Sequence, residues 1–227
     1  MDLIDSLIAE GWLKTPRIIE AFRNIKRADF LPDDLKDLAE LNEALAIGLG
    51  QTISQPLVVA FMLELLKPNP GEKILDIGSG SGWTTALLAE IVKDKGKVIG
   101  IEIIPELAEF GRKNVAKYNF IEKGIAQILC ADGSKGYEKE SPYDRVLASA
   151  ALDVASATSN VASASLQAES PEPSRRNELP KAWKEQLEIG GRIVAPIGNS
   201  IWLFIKKSKD EFEQIEYPGF VFVPLIT

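Results

Sequence analysis

The sequence predicts a doubly wound, Rossmann-like α/β fold, a mostly parallel sheet flanked by helices and finished by antiparallel strands at the C-terminal end. Three observations predict it. From Ile74 onward, short β-branched runs alternate with helix-forming segments, as in repeated strand–helix–strand units. The first run, Ile74-Leu75-Asp76-Ile77, breaks directly into Gly78-Ser79-Gly80-Ser81-Gly82-Trp83, so a strand, a tight turn and a helix start follow one another without a linker. The next two runs end in Glu102 and in Asp132-Gly133, and a parallel sheet brings such strand ends to one edge, where they line one crevice.

Taken in order, residues 1–45 carry helical periodicity interrupted at Pro16 and Pro32, with Thr15-Pro16 and Leu31-Pro32-Asp33-Asp34 as helix starts or turns. Gln55 to Leu66 is apolar nearly all round, which predicts a buried helix rather than an amphipathic one. Strands are expected over 74–77, 98–102, 126–131 and 145–151, with helices over 83–92 and 105–117 between them. Residues 153–177 are rich in Ala and Ser with almost no large apolar side chains, the composition of a solvated, flexible insertion starting on the ligand edge of the sheet. Leu179–Leu187 then reads as a helix stopped by Gly190-Gly191, and Arg192–Pro196 as a strand. Ile201–Lys206, Glu213–Tyr217 and Phe220–Leu225 alternate like antiparallel strands joined by turns near Lys209-Asp210 and Pro218-Gly219. There is no internal repeat, and the expectation is one domain over 1–227.

Composition narrows the function. A chain of 227 residues with 45% hydrophobic and 26% charged residues can bury one substantial core. A formal charge of −7 argues against tight nucleic-acid binding, which draws its affinity from basic side chains. The single Cys130 cannot form an internal disulfide, which suits a reduced, cytoplasmic setting. No apolar run is long enough to span a bilayer and the start lacks a secretory pattern, so a soluble protein that binds no membrane is expected, and a monomer is the default. The chain has no histidine, which excludes Ser-His-Asp, Cys-His and His-metal chemistry and leaves no metal site to expect.

The glycine loop invites two cofactor readings. A dinucleotide fingerprint starting at Gly78 needs glycine at position 83, where Trp83 stands, so NAD is disfavoured. The D-x-G-x-G-x-G string resembles instead the first motif of the S-adenosylmethionine methyltransferases, whose loop and helix N-terminus would cradle a charged small ligand. Glu102 stands where the ribose-binding acid of such folds sits. Trp83 reads as a packing residue rather than an adenine platform.

Upstream, Ile47-Gly48-Leu49-Gly50-Gln51-Thr52-Ile53-Ser54-Gln55-Pro56 resembles the signature of the protein-L-isoaspartate (D-aspartate) O-methyltransferases. The likeness continues through the 75–82 loop, Ile104-Pro105-Glu106-Leu107-Ala108, Asp132-Gly133, Pro142-Tyr143-Asp144-Arg145, Gly190-Gly191-Arg192-Ile193-Val194 and Phe222-Val223-Pro224-Leu225. It implies methyl transfer from S-adenosylmethionine to the free carboxylate of isoaspartyl or D-aspartyl residues in damaged proteins or peptides. It carries Ser54 over as the active-site serine with Thr52 beside it, and Asp76, Gly78, Ser79, Gly80, Glu102, Asp132 and Gly133 as cofactor contacts. Three positions depart from the family pattern. Val59 stands where some members have a cofactor-side histidine, an Ala-Pro continuation is missing after Ala150-Ala151, and Ile226 follows the Pro-Leu pair where Thr is frequent.

The implied chemistry suits a chain without imidazole, because a carboxylate of pKa roughly 4 is already the nucleophile at neutral pH. The residues also admit quieter roles. Ser54 could cap the helix that Pro56 opens, Asp76 could brace its own loop, Glu102 could be a solvated strand end and Asp132 an Asp-Gly turn. Two other functions remain open at this level: a methyltransferase of the same fold with another carboxylate or small-molecule substrate, and a cofactor-binding protein without transfer activity.

Overall fold

The computed structural model describes residues 2–152 and 179–226. Its centre is a seven-stranded sheet made of β3 (Lys73–Ile77), β4 (Lys97–Glu102), β5 (Ala126–Cys130), β6 (Tyr143–Ala148), β7 (Leu187–Ile197), β8 (Ser200–Lys206) and β9 (Phe212–Pro218). The spatial order is β5-β4-β3-β6-β7-β8-β9. The first five strands are parallel, while β8 runs antiparallel to both β7 and β9. The predicted mixed sheet is therefore present, and the strands ending in the glycine loop, Glu102 and Asp132 are immediate neighbours.

Side-chain parity decides what each face holds. Ile74, Val98, Leu147 and Val194 point into a large core shared with α2 (Pro16–Asn24), α3 (Pro56–Leu66), α4 (Trp83–Val92) and α5 (Pro105–Ala116). Leu75, Ile77, Ile99 and Ile101 point the other way, into a smaller core with Trp183 of the six-residue α6 (Lys181–Gln186). Strands buried on both faces read as unbroken apolar runs, which is why they were predictable. Near the N-terminus, α1 (Leu3–Ala9) and α2 fulfil the helical expectation, but Arg27–Phe30 and Asp33–Leu38 form only 3-10 turns. Thr15 gives α2 no side-chain cap. Glu64 of α3 instead accepts from the Lys14 and Thr15 amides at 2.8 and 2.7 Å, tying the two helices together.

Three expectations need correcting. Gly190-Gly191 does not stop a helix, since α6 ends at Gln186 and both glycines lie inside β7. The pairing of β6 with β7 shifts register between Tyr143 and Arg145, and a Cβ on Gly191 would lie 2.9 Å from the Asp144 carbonyl oxygen, so glycine serves a bulge and a close approach. Phe220–Leu225 is not a ladder strand. Pro224 has no N–H to give, and the segment touches the fold's backbone at two points: Phe220 N donates to Asn199 O at 3.0 Å, and Ala151 donates to Val223 O at 2.8 Å and accepts from Leu225 N. Residues 45–53, for which no element is expected beyond the helical periodicity ending at 45, form a separate two-stranded sheet of β1 (Leu45–Gly48) and β2 (Gln51–Ile53). The insertion expected over 153–177 lies outside the described residues.

Candidate active site

One cleft opens at the C-terminal ends of β3, β4 and β6, the edge where open α/β sheets take their ligands. Its walls are the glycine loop, the end of β4 with Glu102 to Ile104, the β1–β2 hairpin with Thr52 and Ser54, and the segment Val223–Ile226. Gly133 and Ser149-Ala150 complete it.

The loop closes on itself. Gly78 N and Ser79 N donate to Ile101 O at 2.8 and 3.0 Å, Gly80 N to Glu102 Oε2 at 2.9 Å, and Gly82 N to Ser79 O at 2.8 Å. Those donors are spent inside the protein, so the expected row of free N–H groups around an anion is not what the loop presents. Glycine is required here by conformation and space: Gly78 sits at φ +74°, and a Cβ on Gly82 (φ +86°) would lie 2.8 Å from Val115 Cγ2.

The acids divide by position. Glu102 is buried rather than solvated, with Oε2 accepting from Gly80 N and Oε1 accepting from Ile104 N at 3.0 Å. Each carboxylate oxygen keeps a further acceptor site, and the residue lines the cleft. Asp76 shares the parity of Ile74, so it points beneath the loop into the α4 side and does not line the cleft. The hydroxyls of Thr84 and Thr85 donate to its Oδ2 at 2.8 and 2.6 Å, while Oδ1 is buried without a partner. Burial raises its pKa to about 6 against the pull of those two hydroxyls. Asp132 caps the 3-10 turn Gly133–Lys135, accepting from Ser134 N and Ser134 Oγ at 3.0 and 2.7 Å. Partial burial pushes its pKa up, but Ser134 and Lys135 outweigh that and hold it below the usual carboxylate value. Its neighbour Gly133 reaches the cleft, with its carbonyl held by Trp183 Nε1 at 2.8 Å.

Across the cleft, Thr52 is exposed on β2 and Ser54 is half-buried just after it. The capping role for Ser54 is not observed. The start of α3 is capped by Asn42, whose Oδ1 accepts from Leu57 N at 3.0 Å, and the Gln55 side chain donates to Asn42 O at 2.8 Å. The Ser54 hydroxyl makes no hydrogen bond to any described residue. On the loop side, Ser79 Oγ is likewise buried, at the cleft, and unpartnered. Trp83 packs edge-on against Phe22 at 5.7 Å between ring centroids, in keeping with a packing role, and also borders the cleft.

Sequence reasoning missed Ile47, Ile104 and Val223–Ile226 as cleft residues. All of these lay within or beside strings singled out for other reasons, but apolar residues in short irregular segments carry no periodic signal. Val59, one of the departures, is buried in α3 and lies off the cleft, whereas Leu225 and Ile226 line it. Among the described residues there is no cluster of potential metal ligands and no helix long and apolar enough to cross a membrane.

The family model for protein-L-isoaspartate(D-aspartate) O-methyltransferase matches residues 1–158 and 174–227. The chain belongs to this protein-L-isoaspartate O-methyltransferase family. A member from Methanopyrus kandleri is 38% identical over 228 residues, covering 99% of this chain and 89% of the relative. Another, from Aeropyrum pernix, is 39% identical over 231 residues, covering 99% and 78%. In fold, the chain is similar to a putative protein-L-isoaspartate O-methyltransferase from Plasmodium falciparum, crystallised in complex with S-adenosyl-L-homocysteine. The TM-score is 0.78 at 20% identity, covering 99% of this chain and 96% of that one. The family match spans both walls of the cleft, the hairpin as well as the glycine loop.

Proposed function

We propose that this chain transfers a methyl group from S-adenosylmethionine to the free carboxylate of L-isoaspartyl or D-aspartyl residues in damaged proteins. The observation that carries this reading is the pairing across one cleft of an unpartnered Ser54 hydroxyl with a glycine loop that holds unfilled polar capacity. The loop side fits S-adenosylmethionine. Glu102 offers spare carboxylate acceptor sites suited to ribose hydroxyls, Ser79 Oγ is an orphaned polar atom, and Gly78 keeps the wall free of a side chain. When bound, S-adenosylmethionine supplies an electrophilic methyl group on a sulfonium centre. Gly80 and Gly133 lie along the same wall, while behind it Asp76 anchors the first turn of α4 through Thr84 and Thr85 and Asp132 caps the turn at Gly133.

Ser54, with Thr52 beside it, works on the substrate side. Its hydroxyl donates to one carboxylate oxygen of the isoaspartyl side chain and leaves the other free to attack. No general base is needed, because the nucleophile is ionised at neutral pH, and the chain has no imidazole to supply one. The protein's contribution is alignment and exclusion of water, which in favourable cases supplies roughly 7–11 kcal/mol of the barrier. Activation of Ser54 as a covalent nucleophile has no support, since among the described residues no base is hydrogen-bonded to it.

Incorporation of tritiated methyl into an isoaspartyl peptide and into its normal aspartyl twin tests the reading. Labelling of the isoaspartyl peptide alone is expected. Transfer to another acceptor, or tight binding of S-adenosylmethionine with no transfer, would replace it. We further propose that the chain is a cytoplasmic monomer of one domain over 1–227 that binds no nucleic acid; the lone Cys130 supports the cytoplasmic setting and the net charge of −7 the lack of nucleic-acid binding.

A further inference from the structure

Arg27 lies in a 3-10 turn away from the cleft lining, yet it is only 6% exposed. Its Nη1 donates to the carbonyls of Ala39 and Leu41 at 3.1 and 3.0 Å, and its Nη2 to those of Glu43 and Ser54 at 2.7 and 3.3 Å. The guanidinium carbon stands 5.4 Å from the centroid of the Trp83 ring. No ion pair among the described residues involves it. Burial accordingly lowers its pKa to about 10, with Glu40 opposing that shift.

A cation stripped of water and matched only by carbonyls and a ring face is a poor way to fill space, since an apolar side chain of similar volume would pack there at less cost. Its partners indicate what it does instead. The carbonyls all belong to residues 39–54, the chain that leads into and out of the β1–β2 hairpin and ends at Ser54. Trp83 is the first residue of α4, immediately after the glycine loop. One planar group thus touches the substrate wall and the start of the helix behind the cofactor wall.

We propose that Arg27 is a positioning residue for methyl transfer, holding the Ser54 main chain at a set distance from the glycine loop through the fork of its guanidinium. The inference rests on Ser54 being the substrate-side group. Lysine keeps the charge and most of the stem, but its single ammonium cannot serve carbonyls on both arms of the fork.

The test is a double-mutant cycle in the full chain with Arg27→Lys, Ser54→Ala and the pair. It reads kcat and KM on an isoaspartyl peptide, together with S-adenosylhomocysteine binding by calorimetry, whose stoichiometry counts folded molecules. Arg27→Lys is expected to lower kcat per folded molecule by about tenfold, the scale of a modest misplacement, with S-adenosylhomocysteine affinity changed less than about threefold. In the Ser54→Ala background the same substitution is expected to cost less than about threefold, because its effect runs through Ser54. Losses that multiply in the double mutant, or an unchanged kcat per folded molecule in Arg27→Lys, would overturn the proposal. A Ser54→Ala variant as active as wild type would instead remove the role given to Ser54, and so separates the two failures. Should Arg27→Lys not fold, Arg27→Gln carries the same cycle and the same readings.

Discussion

In the glycine loop, the N–H groups of Gly78, Ser79, Gly80 and Gly82 all end on partners inside the protein, and Ser79, Ser81 and Trp83 are buried. The facing hairpin is a two-stranded sheet whose strands, among the described residues, pair only with each other. Its turn runs through Gly48, Leu49 and Gly50 at φ of +92°, +54° and +73°, and Leu49 is 57% exposed. Such a hairpin is marginal alone, and its two ends are held from outside it: Arg27 donates to the carbonyls of Glu43 and Ser54 on either side, and Asn42 before it bonds Gln55 and Leu57 after it. The contrast follows from what each wall meets. A loop that binds one invariant small molecule gains from being closed and preorganised, whereas a wall that meets many damaged peptides gains from an exposed, adaptable edge.

The sharpest way to break this comparison is to place one methyl group in each wall. Gly82→Ala forces a Cβ to within 2.8 Å of Val115 and 2.9 Å of the Gly111 carbonyl oxygen, at a positive φ. A destabilisation of about 3 kcal/mol is expected from overpacking and backbone strain together. Gly50→Ala meets nothing within 4 Å and carries only the strain, about 1 kcal/mol. Denaturant melts of both variants check this, and equal losses would mean that the loop is no more closed than the hairpin.

Asp76 allows a second test of the closed wall. Its folded pKa of about 6 lies above its ordinary value of 3.8, so between these pH values the folded state holds a proton that the unfolded state has released. Its contribution is therefore fully present below about pH 4 and is lost as pH rises through 6, by on the order of 3 kcal/mol. In Asp76→Asn that slope disappears. Measured stability of wild type relative to the Asn variant should fall from pH 4 to pH 6, and parallel profiles would show that the buried carboxylate is not desolvated as its unpartnered Oδ1 indicates.

Function should divide along the same line. Glu102→Ala removes the acceptor for Gly80 N and Ile104 N together with the acceptor sites facing the cleft, so S-adenosylhomocysteine binding should weaken by about 1–3 kcal/mol. Ser54→Ala should keep that affinity and lose transfer to an isoaspartyl peptide. Calorimetry and initial rates on the two variants form a crossed pair, and a Glu102→Ala variant with unchanged affinity would detach that residue from the cofactor.

The two walls also differed in how far the sequence exposed them. The strands from Ile74 were legible because burial on both faces makes them continuous apolar runs, and Glu102 was placed correctly at a strand end. Its bonds to Gly80 and Ile104 were not legible, since they depend on how the loop folds back over β4. The hairpin escaped detection because strands of four and three residues divided by Leu49 and Gly50 have no period to read. Asn42 and Arg27 were invisible for a related reason: their partners stand from 12 to 27 positions away along irregular chain. The family string alone identified Ser54, and the nonlocal capping by Asn42 explains how its hydroxyl is left free.

The smallest expected effect concerns the hairpin tip. Leu49 holds a left-handed conformation that costs a non-glycine residue about 1 kcal/mol, and it does so while exposing an apolar side chain between the cleft residues Ile47 and Gln51. Glycine there would relieve the strain but would also enlarge the freedom of the unfolded chain, so the two terms should nearly offset and stability should change by less than about 1 kcal/mol. If the exposed edge exists to meet peptide, Leu49→Gly should raise KM for an isoaspartyl peptide while leaving S-adenosylhomocysteine affinity and kcat near wild type. A panel of peptides differing in the residue beside the isoaspartate would sharpen this, with the largest rise in KM expected where that neighbour is apolar. An unchanged KM across the panel would leave the strained leucine without a part in substrate binding and would narrow the substrate wall to Thr52, Ser54 and the Val223–Ile226 segment.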